Sequence, residues 1–356
     1  MKILDDLKIL ESYNKSQVAQ TISFLPDQIN QTWDEVGKMK LPKSYRGFQN
    51  LVIGGMGGSN LATELIRSVY GENINMPIIL VRNYNLPQFV NHKTLVIIIS
   101  YSGNTEETVS CLAQAIAKKA KIVVISSGGK LKIQAQKNKI PYYQINKKLN
   151  PSNQPRYAVG LQLGAVLAIF NNLKLIKLNN QELKQATEYL SILTQTWAPA
   201  VAQDNNFSKK LALELSGQWP ILVAADFLSA NVHILANQIN ESAKNITSHY
   251  VIPELNHHLL EGLKMPINIT SKIKFLFFNS NLYSEAIKKR FYVTEKILKQ
   301  QKIKFIDYSI SSDSKLLTAL EILLLGSWIS YYLTIINQQN PVKIPWVDLF
   351  KKELGK

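Results

Sequence analysis

The sequence predicts an α/β protein built from parallel β-sheets whose faces are covered by helices. Several short runs in the first half of the chain are almost continuously apolar, and helical stretches separate some of them. Strands that are buried on both faces of a parallel sheet have this composition. The same alternation of strand-like and helical segments returns in the second half, so we expect two α/β units along the chain.

The first half begins with about 45 residues that have the periodicity of amphipathic helices, and Pro42 marks the end of this segment. The apolar runs that follow predict strands at Leu51–Ile53, Pro77–Val81, Leu95–Ile99 and Ile122–Ile125. Helices are predicted at Asn60–Val69, Glu106–Ala120 and Ala158–Phe170.

The second half is reached through a helical bridge from Asn179 to Gln203. It predicts strands at Pro220–Ala225, Lys274–Phe278 and Lys304–Tyr308, and helices at Leu228–Lys244, Glu285–Gln300 and Leu316–Ile336. We therefore divide the chain into an N-terminal helical segment, a first sheet domain, a bridge, a second sheet domain and a tail, over residues 1–47, 48–175, 176–205, 206–338 and 339–356.

The composition is that of a globular protein with a sizeable core, since 46% of the 356 residues are hydrophobic and 19% are charged. The 41 basic and 25 acidic residues give a net charge of +16. Such a charge suits a nucleic acid, an anionic membrane surface or an anionic small substrate. The lysines are dispersed and form no basic stripe interleaved with aromatic residues, so no nucleic-acid partner is expected.

One C-terminal segment, from Ile322 to Ile336, carries no charge. It is shorter than the roughly 20 residues that a membrane-spanning helix needs, so we expect a core helix and no membrane partner. The N-terminus mixes acidic with apolar residues, unlike a signal peptide. Cys111 is the single cysteine, which excludes an internal disulfide and fits a cytoplasmic location.

A glycine-rich loop joins the first predicted strand to a helix, and it reads Gly54-Gly55-Met56-Gly57-Gly58-Ser59. Glycines let the backbone approach a ligand closely, and a helix N-terminus, with Ser59 at the N-cap position, offers N–H groups to an anion. A P-loop would need a lysine here, and a dinucleotide motif would need a third glycine in place of Asn60. The alternative is an ordinary glycine-rich turn.

A second loop follows the strand Leu95–Ile99, and it reads Ser100-Tyr101-Ser102-Gly103-Asn104-Thr105. The hydroxyl groups of Ser100, Ser102 and Thr105 suit an oxyanion with several acceptor oxygens. Thr105 alone could serve as a helix N-cap, but that leaves the two serines unexplained. The carboxyl ends of parallel strands meet at one edge of a sheet, so the two loops together predict a site for a phosphorylated ligand.

These loops, GGMGGSN and SYSGNTEET, resemble the sugar isomerase (SIS) domain, and more narrowly the bifunctional phosphoglucose/phosphomannose isomerase family of bacteria and archaea. Similar segments in the first half are Leu4-Asp5-Asp6-Leu7, Tyr13-Asn14-Lys15-Ser16, Leu25-Pro26-Asp27-Gln28, Arg82-Asn83-Tyr84-Asn85-Leu86-Pro87 and Gln154-Pro155-Arg156-Tyr157. Many sugar-phosphate binders share the SIS loops. Two segments in the second half narrow the choice among these families, because they resemble the active-site stretches of the isomerase family. They are Asn240-Glu241-Ser242-Ala243-Lys244 and Pro253-Glu254-Leu255-Asn256-His257.

The resemblance implies two SIS domains, each a parallel sheet between helices, in a homodimer. It implies reversible isomerisation of glucose 6-phosphate or mannose 6-phosphate to fructose 6-phosphate through an enediol, in glycolysis and gluconeogenesis. Hexose 6-phosphates are then the substrates, and neither a metal nor an organic cofactor is expected. The residues that would bind the substrate phosphate are Gly57, Gly58, Ser59, Ser100, Ser102 and Thr105.

Glu241 matches the base that moves a proton between C1 and C2 of the sugar, a task that suits a carboxylate. Periodicity alone would make Glu241 a solvated helical residue, because it lies away from the apolar stripe of its predicted helix. That stripe consists of Leu228, Val232, Leu235 and Ile239. The family usually carries basic and aromatic residues upstream of its Asn-Glu pair, where this chain has Ile234-Leu235-Ala236.

His257 matches the family's ring-opening histidine, which reaches the active site from the neighbouring subunit, and the adjacent His258 is the alternative. Arg156 matches the arginine that stabilises the enediolate, since a guanidinium supplies positive charge without proton exchange. Lys351 in the tail matches the lysine that closes over the sugar, with Lys352 as the alternative.

Two other functions stay open at this point. One is another SIS enzyme acting on an aminosugar phosphate, and the Asn-Glu and Asn-His stretches argue against it. The other is a sugar-phosphate-binding regulator without catalysis. Such regulators usually carry a DNA-binding helix-turn-helix, and the N-terminal segment shows no basic recognition helix.

Overall fold

The structure is a computed structural model that describes residues 2–354. It confirms the predicted class, with two parallel β-sheets flanked by helices. The chain forms two compact units. One unit contains residues 24–189, and the other combines residues 2–23 with residues 190–354.

The strands, numbered along the chain, are β1 (Asn50–Gly55), β2 (Ile78–Val81), β3 (Thr94–Ser100), β4 (Lys121–Ser126), β5 (Tyr142–Gln144), β6 (Trp219–Ala225), β7 (Ser248–Ile252), β8 (Ile273–Ser280) and β9 (Phe305–Ile310). The helices are α1 (Leu7–Tyr13), α2 (Val18–Ser23), α3 (Leu25–Gly37), α4 (Gly58–Tyr70), α5 (Glu106–Ala117), α6 (Gly129–Lys137), α7 (Val159–Asn172), α8 (Asn180–Thr196), α9 (Phe207–Leu215), α10 (Ser229–Gln238), α11 (Leu259–Gly262), α12 (Ile269–Lys272), α13 (Glu285–Gln300), α14 (Lys315–Ile336) and α15 (Pro345–Glu353).

The sheet of the first unit has the order β2-β1-β3-β4-β5, and all of its neighbouring strands are parallel. Its four predicted strands are confirmed. Every residue of β3 is buried, as expected for a strand covered on both faces. The prediction missed β5, which has three residues at the sheet edge, and α6, which buries only Leu131 and Ala135.

Helices α3 and α7 pack closely in this unit, and their contact fixes the segment that leads into α7. A Cβ atom on Gly164 of α7 would lie 2.3 Å from the Ile29 carbonyl oxygen of α3, so the glycine allows the two backbones to approach. The N-terminal helical segment is divided between the two units, because α3 belongs to this unit while α1 and α2 belong to the other.

The sheet of the second unit has the order β7-β6-β8-β9, again all parallel. The predicted strands at β6, β8 and β9 are confirmed. The prediction missed β7, an edge strand in which only Ile252 is fully buried, so it lacks a continuous apolar run. It also missed α9, which Asn206 caps through the Lys209 N–H group.

Helix α14 is long and apolar enough to cross a membrane by length and composition, but 94% of its most apolar stretch is buried inside the protein. The prediction of a core helix is confirmed.

A buried ammonium group ties the N-terminal residues to this unit. Lys209 is fully buried, and its Nζ donates to the carbonyl oxygens of Leu4, Pro199 and Val201 at 2.5, 2.9 and 2.7 Å. Asp5 lies 3.4 Å away and forms an ion pair. Burial lowers the pKa of Lys209, and the charge of Asp5 opposes that shift.

Candidate functional site

The loop between β1 and α4 lies at the carboxyl edge of the first sheet. Gly57 has φ 48°, a conformation that glycine favours, and α4 begins at Gly58. The prediction that Ser59 is the N-cap is wrong, because Gly57 occupies that position and Ser59 lies inside the first turn. Ser59 Oγ instead accepts a hydrogen bond of 2.8 Å from the Tyr101 N–H group. This bond joins the β1 loop to the loop after β3.

The loop after β3 is organised by its own hydroxyl groups. Ser100 Oγ lies 2.9 Å from Thr105 Oγ1 and accepts a hydrogen bond of 3.1 Å from the Gly103 N–H group. Ser102 is exposed, and its Oγ accepts from the Asn104 N–H group at 3.2 Å. Thr105 stands at the N-cap position of α5, but its side chain makes no capping bond within the described residues. The Thr105 hydroxyl therefore contributes to the loop rather than to a cap.

The loop after β4 supports this arrangement from the neighbouring strand. A Cβ atom on Gly103, whose φ is 74°, would lie 1.8 Å from the Gly128 carbonyl oxygen, so only glycine fits at this contact. Ser127 Oγ donates to the Tyr101 carbonyl oxygen at 2.6 Å. The two loops are thus fixed against each other at the carboxyl edge of the sheet.

Arg156 lies beside the β1 loop, in a short 3₁₀-helix at Pro155–Tyr157, and is only 3% exposed. A Cβ atom on Gly58 would be 3.3 Å from Pro155 Cβ and 3.5 Å from the Arg156 backbone nitrogen. The guanidinium donates to Gln154 Oε1 at 2.9 Å and lies 5.5 Å from the Tyr157 ring centroid. The structure therefore brings the backbone of the Arg156 segment close to the N-terminus of α4, and the Arg156 side chain adds a buried positive charge to this unit.

Polar contacts connect the Arg156 segment with the loop after β3. Asn150 Nδ2 donates to the Tyr101 hydroxyl at 2.6 Å, and Ser152 Oγ donates to Asn150 Oδ1 at 2.8 Å. Ser152 Oγ also accepts from the Gln154 N–H group at 3.2 Å. Burial raises the pKa of Tyr101, so the phenol is neutral and can accept this bond. The predicted phosphate loops and Arg156 form one cluster in this unit.

Glu241 lies in a π-helical turn, Ile239–Ala243, which directly follows α10. The predicted continuous helix Leu228–Lys244 is wrong at this point, since α10 ends at Gln238 and Lys244 is left-handed with φ 51°. A π-turn changes the helical phase, so the apolar stripe of the preceding helix does not predict the direction of Glu241. Glu241 is partly buried. Such turns occur frequently at functional sites.

Two contacts hold this π-turn in place. The Asn240 side chain accepts from the Thr247 N–H group at 3.1 Å and donates to the Thr247 carbonyl oxygen at 3.2 Å. Asn337, which follows α14, donates to the Ala243 carbonyl oxygen at 3.0 Å. Glu241 is thereby fixed next to the amino end of β7.

The three residues that lie a few positions upstream of the Asn-Glu pair are core residues. Ile234 and Leu235 are 1% exposed, and Ala236 is 2% exposed. A Cβ atom on Gly326 of α14 would lie 3.2 Å from Leu235 Cδ1. In this chain the segment packs α10 against α14.

His257 lies at the other end of β7, in the 3₁₀-helix Glu254–His257, and its side chain is exposed. The alternative residue, His258, packs its ring against Tyr250 with centroids 5.9 Å apart. The four residue steps of β7 span about 13 Å at the usual rise of a strand. An acid and a base that act on one sugar must both reach adjacent substrate atoms. Within one chain, Glu241 precedes the amino end of β7 and His257 follows its carboxyl end.

Lys351 lies in α15, whose side chains are all unburied in the described structure. Trp346 is 81% exposed and Phe350 is 63% exposed. At 100° per residue, the apolar side chains share one face of the helix. Lys351 and Lys352 flank that face on its two sides, about 40° and about 60° beyond its edges.

The described residues contain no group of three or more His, Cys, Asp or Glu side chains that could hold a metal ion. Cys111 is buried in α5, and its Sγ donates to the Asn83 carbonyl oxygen at 3.5 Å. Burial, and secondarily the charge of Glu107, raises the pKa of Cys111 to about 11. The thiol is accordingly protonated near neutral pH.

The two parallel sheets, with hydroxyl-bearing loops at the strand-to-helix turns of the first sheet, place this chain in the SIS class of α/β proteins. A solved structure of a hypothetical protein from Thermus thermophilus has the same fold, with a TM-score of 0.73 and 16% sequence identity. The alignment covers 98% of this chain and 92% of the other.

The sequence comparisons identify the family more narrowly than the likeness of fold does. Residues 204–354 match the family model of the bacterial phospho-glucose isomerase C-terminal SIS domain. A bifunctional phosphoglucose/phosphomannose isomerase from Caldicellulosiruptor bescii is 31% identical, over 95% of this chain and 98% of its own. A second one, from Aquifex aeolicus, is 29% identical, over 91% of this chain and 94% of its own. The chain belongs to the bifunctional phosphoglucose/phosphomannose isomerase family.

Proposed function

We propose that this isomerase reversibly converts glucose 6-phosphate and mannose 6-phosphate to fructose 6-phosphate through an enediol intermediate. The buried guanidinium of Arg156, whose backbone lies beside the N-terminus of α4, carries the proposal. The anion-binding loop at the α4 N-terminus alone would explain capture of the phosphate. A fixed guanidinium in addition suits an intermediate that develops negative charge on oxygen. We expect the enzyme to act in glycolysis and gluconeogenesis, and its single cysteine fits a cytoplasmic location.

The phosphate loops supply hydroxyl donors for the substrate. Ser59 and Ser102 each accept a hydrogen bond from a backbone N–H group, which leaves the hydroxyl hydrogen free to be donated. Ser100 and Thr105 share one hydrogen bond, so the pair keeps one further hydrogen for a phosphate oxygen. The backbone of Gly57 and Gly58 lets the phosphate approach the α4 N-terminus.

The reaction starts with ring opening. His257 donates a proton to the ring oxygen as the C1–O bond breaks, and the neutral imidazole then takes up the proton that the C1 hydroxyl releases as the aldehyde forms. The Glu241 carboxylate then removes the C2 proton, and the positive charge of Arg156 stabilises the enediolate. Glu241 returns the proton to C1 while the proton of the C2 hydroxyl passes to O1, and the C2 carbonyl and C1 hydroxyl so formed complete the ketose.

A homodimer provides His257 and Glu241 to the same substrate. The placement of Glu241 before β7 and of His257 after it, with a strand of about 13 Å between them, supports this arrangement. Lys351 closes over the sugar from α15. Lys351 is the better match to the family's tail lysine, and Lys352, which flanks the apolar face of the same helix on its other side, is the alternative.

The test is an assay of the purified enzyme for fructose 6-phosphate formed from glucose 6-phosphate and from mannose 6-phosphate. We expect both conversions, with no dependence on EDTA because each step uses a protein side chain. Glucosamine 6-phosphate is the comparison substrate. Turnover of the aminosugar alone, or binding of hexose phosphates without turnover, would contradict the proposal.

A further inference from the structure

Each proposed proton-transfer residue follows an asparagine whose side chain anchors it. Asn240 precedes Glu241 and binds the backbone of Thr247. Asn256 precedes His257 and binds side chains of another element, α13. Asn256 Nδ2 donates to Thr294 Oγ1 at 2.7 Å, and its Oδ1 accepts from Arg290 Nη1 at 3.4 Å.

Thr294 is the fixed member of this set. It is 1% exposed, and its hydroxyl donates to the Arg290 carbonyl oxygen at 2.7 Å while it accepts from Asn256. The helix around it is held by Phe291, whose ring lies 5.8 Å from that of Phe277 and 5.4 Å from that of Tyr283. The threonine hydroxyl therefore offers Asn256 a rigid acceptor.

His257 itself has little local support. Its side chain is exposed and has no hydrogen-bond partner among residues 2–354. The turn that carries it is attached to the unit through buried Leu255 and through the Asn256 amide. The orientation of Asn256 thus determines where the adjacent imidazole is presented.

We propose that Thr294 is a positioning residue for ring opening, acting through Asn256 on His257. The proposal rests on the function proposed above for His257. A general acid must lie within hydrogen-bond distance of its target, and a displacement of about 1 Å can cost on the order of 100-fold in rate. A loosened turn would therefore slow ring opening and leave phosphate binding unchanged.

The variants isolate one hydroxyl group. Thr294→Val removes the acceptor and keeps the shape of the side chain, and Thr294→Ser restores a hydroxyl. Asn256→Ala removes the same hydrogen bond from its partially exposed end. The matched control is Thr318→Val, because Thr318 is buried in α14 and its hydroxyl donates to a carbonyl oxygen one turn earlier, that of Ser314 at 3.0 Å.

The measurement is enzyme-driven exchange between the α and β anomers of glucose 6-phosphate, followed by exchange NMR beside ordinary isomerisation kinetics. Anomer exchange requires ring opening but no proton transfer at C2. We expect Thr294→Val to slow anomer exchange and kcat at least tenfold, with KM within about twofold. Thr294→Ser should recover most of the rate, and Thr318→Val should retain it.

Unchanged anomer exchange in well-folded Thr294→Val would overturn the proposal, as would an equal loss in Thr318→Val. If Thr294→Val does not fold, Asn256→Ala carries the same test, and normal exchange in that variant overturns it too. Where both fold, the double variant should be no slower than the slower single one, because both remove one bond. Persistent exchange in His257→Ala would instead show that the function proposed for His257 is wrong, whatever Thr294 does.

Discussion

The loops proposed to bind phosphate and the turns proposed to carry the proton-transfer residues are held in different ways. The loops after β1 and β3 directly follow buried strands, and residues at the same sheet edge hold them, as Ser59 holds the Tyr101 N–H group. The turns that carry Glu241 and His257 depend on remote elements, through Asn337 after α14 and Thr294 in α13. A site for binding can thus be encoded in local sequence, whereas the geometry of proton transfer requires tertiary structure.

Removal of the base gives the largest effect that this comparison predicts. Glu241→Gln keeps the shape of the side chain but cannot accept a proton, so kcat should fall by about 10²–10⁴-fold with little change in KM. Exchange of the C2 hydrogen with solvent deuterium should stop as well. Glu261→Gln, at an exposed glutamate of α11, is the control and should be normal. A near-normal kcat for Glu241→Gln, or a loss confined to KM, would show that another group is the base.

Arg156 is expected to show the next largest effect, because it belongs to the binding cluster but acts on the intermediate. Arg156→Gln should lower kcat by about 10²–10³-fold, the loss typical of removing a group that stabilises an oxyanion. Arg67→Gln changes an exposed arginine of neighbouring α4 and should have no effect. If Arg156→Gln raised only KM, the guanidinium would be a phosphate ligand.

The phosphate loops should respond in KM rather than in kcat. The double variant Ser102→Ala/Thr105→Ala removes two hydroxyl donors, so affinity should weaken by about 1–3 kcal/mol. Steady-state kinetics with both hexose phosphates gives this value. Ser110→Ala, at a hydroxyl of α5 that binds the Tyr84 carbonyl oxygen, is the control. An unchanged KM in the double variant would show that these hydroxyl groups do not bind the substrate phosphate.

The tail should give the smallest effect. Lys351→Ala removes a charged contact and should lower kcat/KM by about tenfold, while Lys352→Ala should change it less than twofold. The adjacent lysine is itself the matched control, since both substitutions remove one charge from the same helix. A larger loss of kcat/KM for Lys352→Ala than for Lys351→Ala would assign the contact with the substrate to Lys352.

The sequence predicted most of the fold because the central strands are continuous apolar runs. It missed β5 and β7, since an edge strand is partly exposed and lacks that run. Ser100 and Thr105 could be found from a motif that follows a strand. The position of Glu241 could not be derived from periodicity, because the π-turn breaks the helical phase after Gln238. Its role came from resemblance alone, and the contacts of Thr294 join segments 38 residues apart.

The central claim is that Glu241 and His257 act on one substrate from different chains, and a heterodimer of two inactive variants tests it most directly. One subunit carries Glu241→Gln and the other His257→Ala, and two different affinity tags isolate the mixed dimer. One of its two sites then has both native residues, so about half of the wild-type activity should return. Both parent homodimers should be inactive in the same assay. If the purified, folded heterodimer stayed as inactive as its parents, the two residues would serve the same chain, and the account would be wrong.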